Sequence, residues 1–194
     1  MRKSEIERET KETKIYISLN LDGQEEVRVD TGIGFFDHML NLFARHGGFG
    51  MDLSVEGDYE VDNHHVIEDT GIVLGNAFKQ ALGDKSGIKR YSSKFTPMDE
   101  SLSRVCIDIS GRGMLVSDVS FTCERIGQME TEMIEEFFRA FAATSGTTLH
   151  LAIMYGKNNH HMAEAIFKGF ARALKEAVSI DNTVEGIPST KGVL

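Results

Sequence analysis

The sequence of 194 residues contains little cysteine and little proline, and each shortage excludes a class of protein. The two cysteines, Cys106 and Cys123, form no CxxC pair, so neither a disulfide framework nor a thiolate zinc site is expected. The two prolines, Pro97 and Pro188, lie outside any Ser/Gly-rich linker. Any boundary between structural units must therefore be a tight turn.

Basic residues and long apolar runs are also scarce. The 21 basic residues against 30 acidic ones give a formal net charge of −9, which disfavours binding to nucleic acid and to anionic membrane surfaces. No run approaches the roughly 18 apolar residues of a membrane span, and residues 1–14 lack the apolar stretch of a secretion signal. We therefore expect a cytoplasmic protein that binds neither nucleic acid nor a membrane.

The remaining composition is that of an ordinary globular protein, with 41% hydrophobic and 26% charged residues. Alternating apolar residues predict strands, whereas apolar stripes with a helical period predict helices. The predicted strands cover residues 14–21, 51–55, 104–110, 114–120 and 148–154. The predicted helices cover residues 35–46, 63–82, 130–143 and 159–178.

The order of these elements occurs twice, which indicates an internal duplication. Aligning HHVIE (residues 64–68) with HHMAE (residues 160–164) superposes both histidines and the glutamate. We predict an α/β (α+β) fold of two half-repeats, residues 1–92 and 93–194, each a small mixed sheet covered by two helices. The halves are expected to pack sheet to helix layer around one core, as one compact domain.

The duplicated pattern HHxxE holds four of the seven histidines. In a helix, His64 and Glu68 are four residues apart and His65 and Glu68 are three apart, so each histidine shares a face with the glutamate. Adjacent histidines diverge by about 100° around the helix axis and cannot readily bind one ion together. Each motif is therefore predicted to contribute to two metal sites. The competing interpretation, exposed histidines at helix starts, is disfavoured by the duplication of the whole pattern.

Two further candidates, His38 and Glu136, occupy matching places in the helices that precede the motifs. Imidazole and carboxylate donors without thiolate suit manganese, iron or zinc, and the donor types alone do not choose among these metals. His46 and His150 have no spaced partner and are predicted to lie in turns or at the surface.

Seven segments carry a further signal: FFDHML, DNHHVIEDTG, GIKRY, PMDESL, ISGRG, GKNNHHMAEAIFKGFARAL and IPSTKGVL. They span nearly the whole chain, and in sequence and order they resemble the imidazoleglycerol-phosphate dehydratase family of histidine biosynthesis. The resemblance implies a manganese-dependent lyase that converts imidazoleglycerol phosphate to imidazoleacetol phosphate. It also implies the duplicated α/β fold, two Mn²⁺ ions per active site, and a homo-oligomer of 24 subunits with active sites at the interfaces.

The same resemblance implies roles for individual residues. The implied metal ligands are His38, His64, His65, Glu68, His160, His161 and Glu164. The implied acid/base residue is Glu12. The residues implied to bind the substrate phosphate are Arg90, Arg112, Lys168, Ser189 and Lys191.

Three acidic residues are less clearly assigned by the resemblance. Asp99, in the segment PMDE, is expected to contact the substrate diol, although a turn or a structural hydrogen bond is the alternative for both Asp99 and Glu100. Glu136 stands where many members of the family have a histidine. A carboxylate is a good ligand for a hard divalent ion, so Glu136 is expected to bind metal; the alternative is an exposed glutamate.

Two other functions remain open. A dinuclear metallohydrolase would use the same ligands to activate water, but the chain lacks an obvious bridging Asp-rich cluster. A non-catalytic metal-binding or nucleic-acid module could share a small α/β fold, but the net charge of −9 disfavours nucleic acid. Dehydratase activity with and without manganese, together with metal content, discriminates among the three.

Overall fold

The structure, a computed structural model, describes residues 1–23 and 26–194. The strands in these ranges are β1 (Lys3–Glu9), β2 (Thr13–Asn20), β3 (Val27–Asp30), β4 (Gly50–Gly57), β5 (Tyr91–Met98), β6 (Ser101–Asp108), β7 (Met114–Asp118), β8 (Arg125–Ile126), β9 (Met129–Glu130) and β10 (Thr148–Tyr155). The helices are α1 (Gly34–Gly47), α2 (His64–Leu82), α3 (Glu132–Ser145) and α4 (Asn159–Ala177).

Two four-stranded sheets share one topology. The first has the strand order β1-β2-β4-β3 and the second has the order β5-β6-β10-β7. In each sheet one pair is parallel, β3 with β4 and β7 with β10, and the other pairs are antiparallel. β8 and β9 form an additional hairpin ahead of α3. The predicted α/β fold of duplicated halves with mixed sheets is confirmed.

The helices of the two halves meet each other. α2 covers β1 and β2, α4 covers β5 and β6, and α1 and α3 contact β3 and β7. Between the halves, α2 packs against α3 and α1 packs against α4. The expectation that the halves pack sheet to helix layer is therefore wrong. The inner face of each sheet is already covered by its own helices, so the remaining apolar helix surfaces bury each other.

Aromatic rings fill the centre of this helix layer. Phe170 of α4 is fully buried, and its ring centroid lies 5.4 Å from that of Phe43 of α1. On the other side, Phe138 and Phe141 of α3 meet Phe170 edge to face at 5.1 and 5.0 Å. Such aromatic pairs add stabilisation beyond the apolar area they bury. Phe170 thus joins three of the four helices.

Each predicted helix and strand is present, with boundaries displaced by a few residues. The largest shift is in the predicted strand 104–110, which is β6 and begins at Ser101. Ser101 and Ser103 are buried, and Ser103 Oγ donates to the carbonyl of Ala165 at 2.7 Å. Because these buried positions carry serine, the first residues of β6 do not show the alternation of apolar and polar residues that predicts a strand. The predicted helix 130–143 begins two residues later, because Glu130 belongs to β9.

The sequence analysis did not predict five of the strands: β1, β3, β5, β8 and β9. In β1, KSEIERE, the single apolar residue Ile6 faces inward between the buried Ser4 and the half-buried Arg8. Ser4 Oγ donates to the carbonyl of Ala77, and Arg8 pairs with Asp69 of α2. The inward positions of β1 thus include polar residues that bond to α2. The alternation of apolar and polar residues that predicts a strand is therefore missing.

None of the helices in the described part of the chain combines the length and apolar character that crossing a membrane requires.

Gly75 lets α2 pack closely against α3. A Cβ placed on Gly75 would lie 2.0 Å from Thr144 Oγ1 and 2.8 Å from the carbonyl oxygen of Phe141. Because that carbonyl belongs to a packed helix, we predict that Gly75→Ala lowers the free energy of unfolding by about 1–3 kcal/mol. The control is Gly34→Ala, since a Cβ on Gly34 meets nothing within 4 Å. Denaturant unfolding measures both; equal stability of the two variants would contradict the prediction.

Candidate metal centre

Three side chains from two helices converge at the contact between the halves. His38 lies in α1, and His160 and Glu164 lie one turn apart in α4. Glu164 Oε1 is 3.1 Å from His38 Nε2 and 2.8 Å from His160 Nε2. Among the described residues, this is the one group of three whose ligand atoms lie within 4.8 Å of one another. Two imidazoles and one carboxylate at this spacing suit a divalent cation.

The start of α4 is anchored next to this cluster. Asn158 is the N-cap residue, and its side-chain oxygen accepts hydrogen bonds from the backbone N–H groups of His160 and His161. In α2 the N-cap residue Asn63 makes no such bond, but Asp62, the residue before it, accepts from the backbone N–H of His64 at 2.8 Å. Short polar side chains thus begin both helices directly at the HHxxE motifs.

Glu164 is a buried carboxylate held ionised by its neighbours. Burial opposes its ionisation, but hydrogen bonds from Lys168, His38 and His160 outweigh this effect and lower the pKa of Glu164 to about 2. Lys168 Nζ donates to Glu164 Oε2, on the opposite side of the carboxylate from the histidines. An anionic ligand is therefore ready for a cation at any ordinary pH.

The equivalent residues of the other motif are more exposed to solvent. His64 Nε2 lies 3.4 Å from Glu68 Oε2, and both side chains are partly exposed. Glu136 in α3 corresponds to His38 in α1, since each stands ten residues before the glycine that caps its helix. Glu136 Oε2 lies 3.4 Å from Arg139 Nε. Within one chain the structure places Glu136 in an ion pair, and its role as a metal ligand stays a prediction.

The second histidine of each motif points away from the first, as predicted. The rings of His64 and His65 are 6.2 Å apart and those of His160 and His161 are 6.3 Å apart, each pair close to perpendicular. His65 and His161 therefore face surroundings of their own, which differ from the cluster around Glu164.

Carboxylates surround both of these outward histidines. Asp58 Oδ2 lies 2.9 Å from His65 Nδ1, and Glu100 Oε2 lies 2.7 Å from His161 Nδ1. These hydrogen bonds raise the pKa of both imidazoles. The sequence analysis missed Asp58 and preferred Asp99 to Glu100. The available signal for Asp58 was its place directly after a strand that leads into the motif.

Two predicted site residues lie on the other side of the same rings. Glu12 Oε1 lies 3.8 Å from His65 Nε2, and Asp99 Oδ2 lies 3.7 Å from His161 Nε2. Both stand in the turns of β-hairpins, Glu12 between β1 and β2 and Asp99 between β5 and β6. Each outward histidine thus has one carboxylate near each ring nitrogen.

Four of the five predicted phosphate-binding residues line one pocket of about 660 Å³. They are Arg90, Arg112, Ser189 and Lys191. Arg90 pairs with Asp108 through Nε at 2.7 Å and donates from NH1 to the carbonyl of Pro188 at 2.8 Å. This second bond fastens the carboxy-terminal segment over the pocket. Lys168, the fifth predicted residue, contacts Glu164 in α4 and does not line the pocket.

His46 and His150 are both exposed at the surface, as predicted.

Comparison with known proteins identifies the family. A family model for imidazoleglycerol-phosphate dehydratase matches residues 31–174. The chain belongs to the imidazoleglycerol-phosphate dehydratase family. An imidazoleglycerol-phosphate dehydratase of Thermoanaerobacter pseudethanolicus is 57% identical over 194 residues, which is 100% of both chains. The enzyme is thus a hydro-lyase, a class that cleaves a carbon–oxygen bond with loss of water.

Solved structures of imidazoleglycerol-phosphate dehydratases share the fold. That from Staphylococcus aureus superposes with a TM-score of 0.85 at 40% identity, covering 92% of this chain and 99% of that one. That from Pyrococcus furiosus, solved in complex with (S)-C348, superposes with a TM-score of 0.83 at 33% identity, covering 97% and 100%. The duplicated halves and their helix layer are therefore the architecture of the family.

The buried carboxylate of Glu164 provides a direct test of the metal centre. We predict that Glu164→Gln weakens Mn²⁺ binding by more than about tenfold, because the amide keeps the shape but loses the charge, and even residues behind metal ligands contribute that much. Isothermal titration of chelator-treated protein measures the affinity. His150→Ala, at an exposed histidine outside the centre, is the control. Equal Mn²⁺ affinity in Glu164→Gln and the wild type would contradict the assignment.

Proposed function

We propose that the chain is a manganese-dependent dehydratase of histidine biosynthesis that converts imidazoleglycerol phosphate to imidazoleacetol phosphate in the cytoplasm. The observation that carries the proposal is the cluster of His38, His160 and Glu164, whose donors suit a divalent ion. Support comes from relatives that are named for this dehydratase and match the chain along its whole length.

We further propose two Mn²⁺ ions per active site. The proposed ligands are His38, His64, His65, Glu68, Glu136, His160, His161 and Glu164. The separate neighbours of adjacent histidines support two positions, since His160 contacts Glu164 whereas His161 contacts Glu100. Bound manganese would supply Lewis acidity toward the substrate.

The reaction is difficult because no carbonyl group acidifies the hydrogen that must leave the substrate carbon. Elimination of water needs one proton removed from carbon and one delivered to the departing hydroxyl, and the resulting enol becomes the ketone. Glu12 is proposed to transfer a proton in this sequence. Its side chain is 53% exposed in the hairpin turn and lies beside the proposed ligand His65, so a bound substrate can reach it.

The substrate phosphate is proposed to occupy the pocket beneath the carboxy-terminal segment. Arg90 and Arg112 offer planar guanidinium groups, Lys191 offers an ammonium group, and Ser189 offers a hydroxyl. These donors concentrate positive charge in a chain with a net charge of −9. Lys168 and Asp99 are proposed to contact the substrate from the side of the metal ligands.

A homo-oligomer of 24 subunits with active sites at its interfaces is also proposed. The outer face of the first sheet is charged along β1, whereas the outer face of the second exposes Tyr91 and Phe95 of β5 and Met114 and Val116 of β7. An apolar surface of this kind indicates a contact with another protein, here a second copy. The mass in solution, measured by light scattering, tests the proposal; a monomer would contradict it.

Glu12 provides the first test of the mechanism. We predict that Glu12→Gln lowers kcat by about 100-fold or more, because the amide cannot exchange a proton, while Mn²⁺ content stays unchanged. The assay follows loss of imidazoleglycerol phosphate with and without manganese. Glu9→Gln, at an exposed position in the same hairpin, is the control and should keep wild-type turnover. Wild-type kcat in Glu12→Gln would overturn the role of Glu12.

The phosphate pocket provides a second test. We predict that Lys191→Gln raises KM about tenfold, since a charged contact with the phosphate is lost, and leaves Mn²⁺ content unchanged. Removal of residues 187–194 should raise KM further and lower kcat, because water then enters the site. Lys79→Gln, at an exposed position of α2, is the control. Wild-type kinetics in the truncated enzyme would contradict the assignment of the phosphate to this pocket.

A further inference from the structure

The duplication gives two glutamates equivalent places in the chain. Glu12 directly precedes β2, and Glu100 directly precedes β6, and both stand in the hairpin turn before the second strand of a half. Each faces the second histidine of the motif in its own half, His65 or His161. The two glutamates therefore occupy equivalent positions in the two halves.

Their contacts nevertheless differ. Glu100 Oε2 is hydrogen-bonded to His161 Nδ1 at 2.7 Å, and Glu100 Oε1 accepts from the backbone N–H groups of Lys157 and Asn158 at 3.1 and 2.8 Å. Both of its oxygens are thus engaged, and they tie the start of α4 to the hairpin. The Glu12 carboxylate instead lies 3.8 Å from the other ring nitrogen of His65, beyond hydrogen-bond distance.

Asp58 accounts for this difference. Its carboxylate occupies Nδ1 of His65, at 3.1 Å from Oδ1 and 2.9 Å from Oδ2, which is the place that Glu100 takes on His161. Thr13 pairs with Gly57 and Leu102 pairs with Tyr155, so the residue opposite Glu12 is Asp58 and the residue opposite Glu100 is Lys157. In the first half the carboxylate on Nδ1 comes from the loop after β4. In the second half it comes from the hairpin turn between β5 and β6.

Lys157 shows why the second half does not use the same loop. Gly57 and Gly156 are equivalent, since a Cβ on Gly57 would lie 2.3 Å from Val66 Cγ2 and a Cβ on Gly156 would lie 2.6 Å from Met162 Cγ, which belong to the third residues of the two motifs. The residue that follows the glycine is Asp58 in the first half and Lys157 in the second, so the second half has no carboxylate at the equivalent place. The carboxylate for His161 must come from elsewhere, and Glu100 is the group in reach.

We propose that Asp58 and Glu100 are positioning residues that hold the protons of His65 and His161 on Nδ1, leaving Nε2 available to a metal ion, and that Asp58 thereby frees Glu12 for proton transfer. A carboxylate on one imidazole nitrogen fixes the tautomer and the orientation of the ring. The part that concerns Glu12 rests on the proposed function, whereas the part that concerns the histidines does not.

The experiment uses Asp58→Asn and Glu100→Gln in the full-length protein. Nitrogen NMR of the metal-free protein, at a pH where the imidazoles are neutral, reports which ring nitrogen carries the proton. We expect the preference for Nδ1–H to be lost at His65 in the first variant and at His161 in the second. Mn²⁺ titration should show binding weakened roughly 10- to 100-fold, as for other residues behind metal ligands. Asp58→Glu, which restores a carboxylate, should recover part of the loss.

Glu60→Gln is the matched control, because Glu60 is an exposed carboxylate in the same loop as Asp58. It should keep both the tautomers and the Mn²⁺ affinity of the wild type. Unchanged tautomers in Asp58→Asn and Glu100→Gln would overturn the proposal, whatever their affinity. Both measurements are made without substrate, so they test the positioning of the histidines independently of dehydratase activity. A failure of the proposed function and a failure of this proposal can therefore be told apart.

Discussion

Helix-on-helix contact between the two halves determines where the candidate chemistry lies. His38 belongs to the first half and Glu164 to the second, and they meet because α1 packs against α4. Behind them the rings of Phe43 and Phe170 stack at 5.4 Å and keep the two helices in register. The ligand cluster is therefore a product of the docking of the halves, and neither half contains it alone.

The sequence predicted the parts of the fold that follow a period. Apolar stripes identified all four helices, and the repeated HHxxE identified both the duplication and the outward turn of His65 and His161. Strand β1 was missed because its inward positions include Ser4 and Arg8, which bond to α2 instead of presenting apolar surface. The packing of helix on helix was also missed, since a stripe shows that a face is buried without showing what covers it.

The site was predictable where residues lie in helices and less so where they lie in loops. The carboxylate of Asp58 reaches His65 through the conformation of a loop, and no periodic pattern encodes that conformation. The predicted phosphate-binding residues came from the family resemblance, and four of them line one pocket. Lys168 is the exception, since its ammonium group contacts a proposed metal ligand.

The residue opposite each hairpin glutamate has a consequence for the history of the duplication. Two identical halves would have carried equivalent glutamates with the same residue opposite each. In the present chain that residue is Asp58 in the first half and Lys157 in the second, and only the first can accept a hydrogen bond from a histidine ring. A difference at one position thus accompanies the different contacts of Glu12 and Glu100, and the two halves are no longer interchangeable.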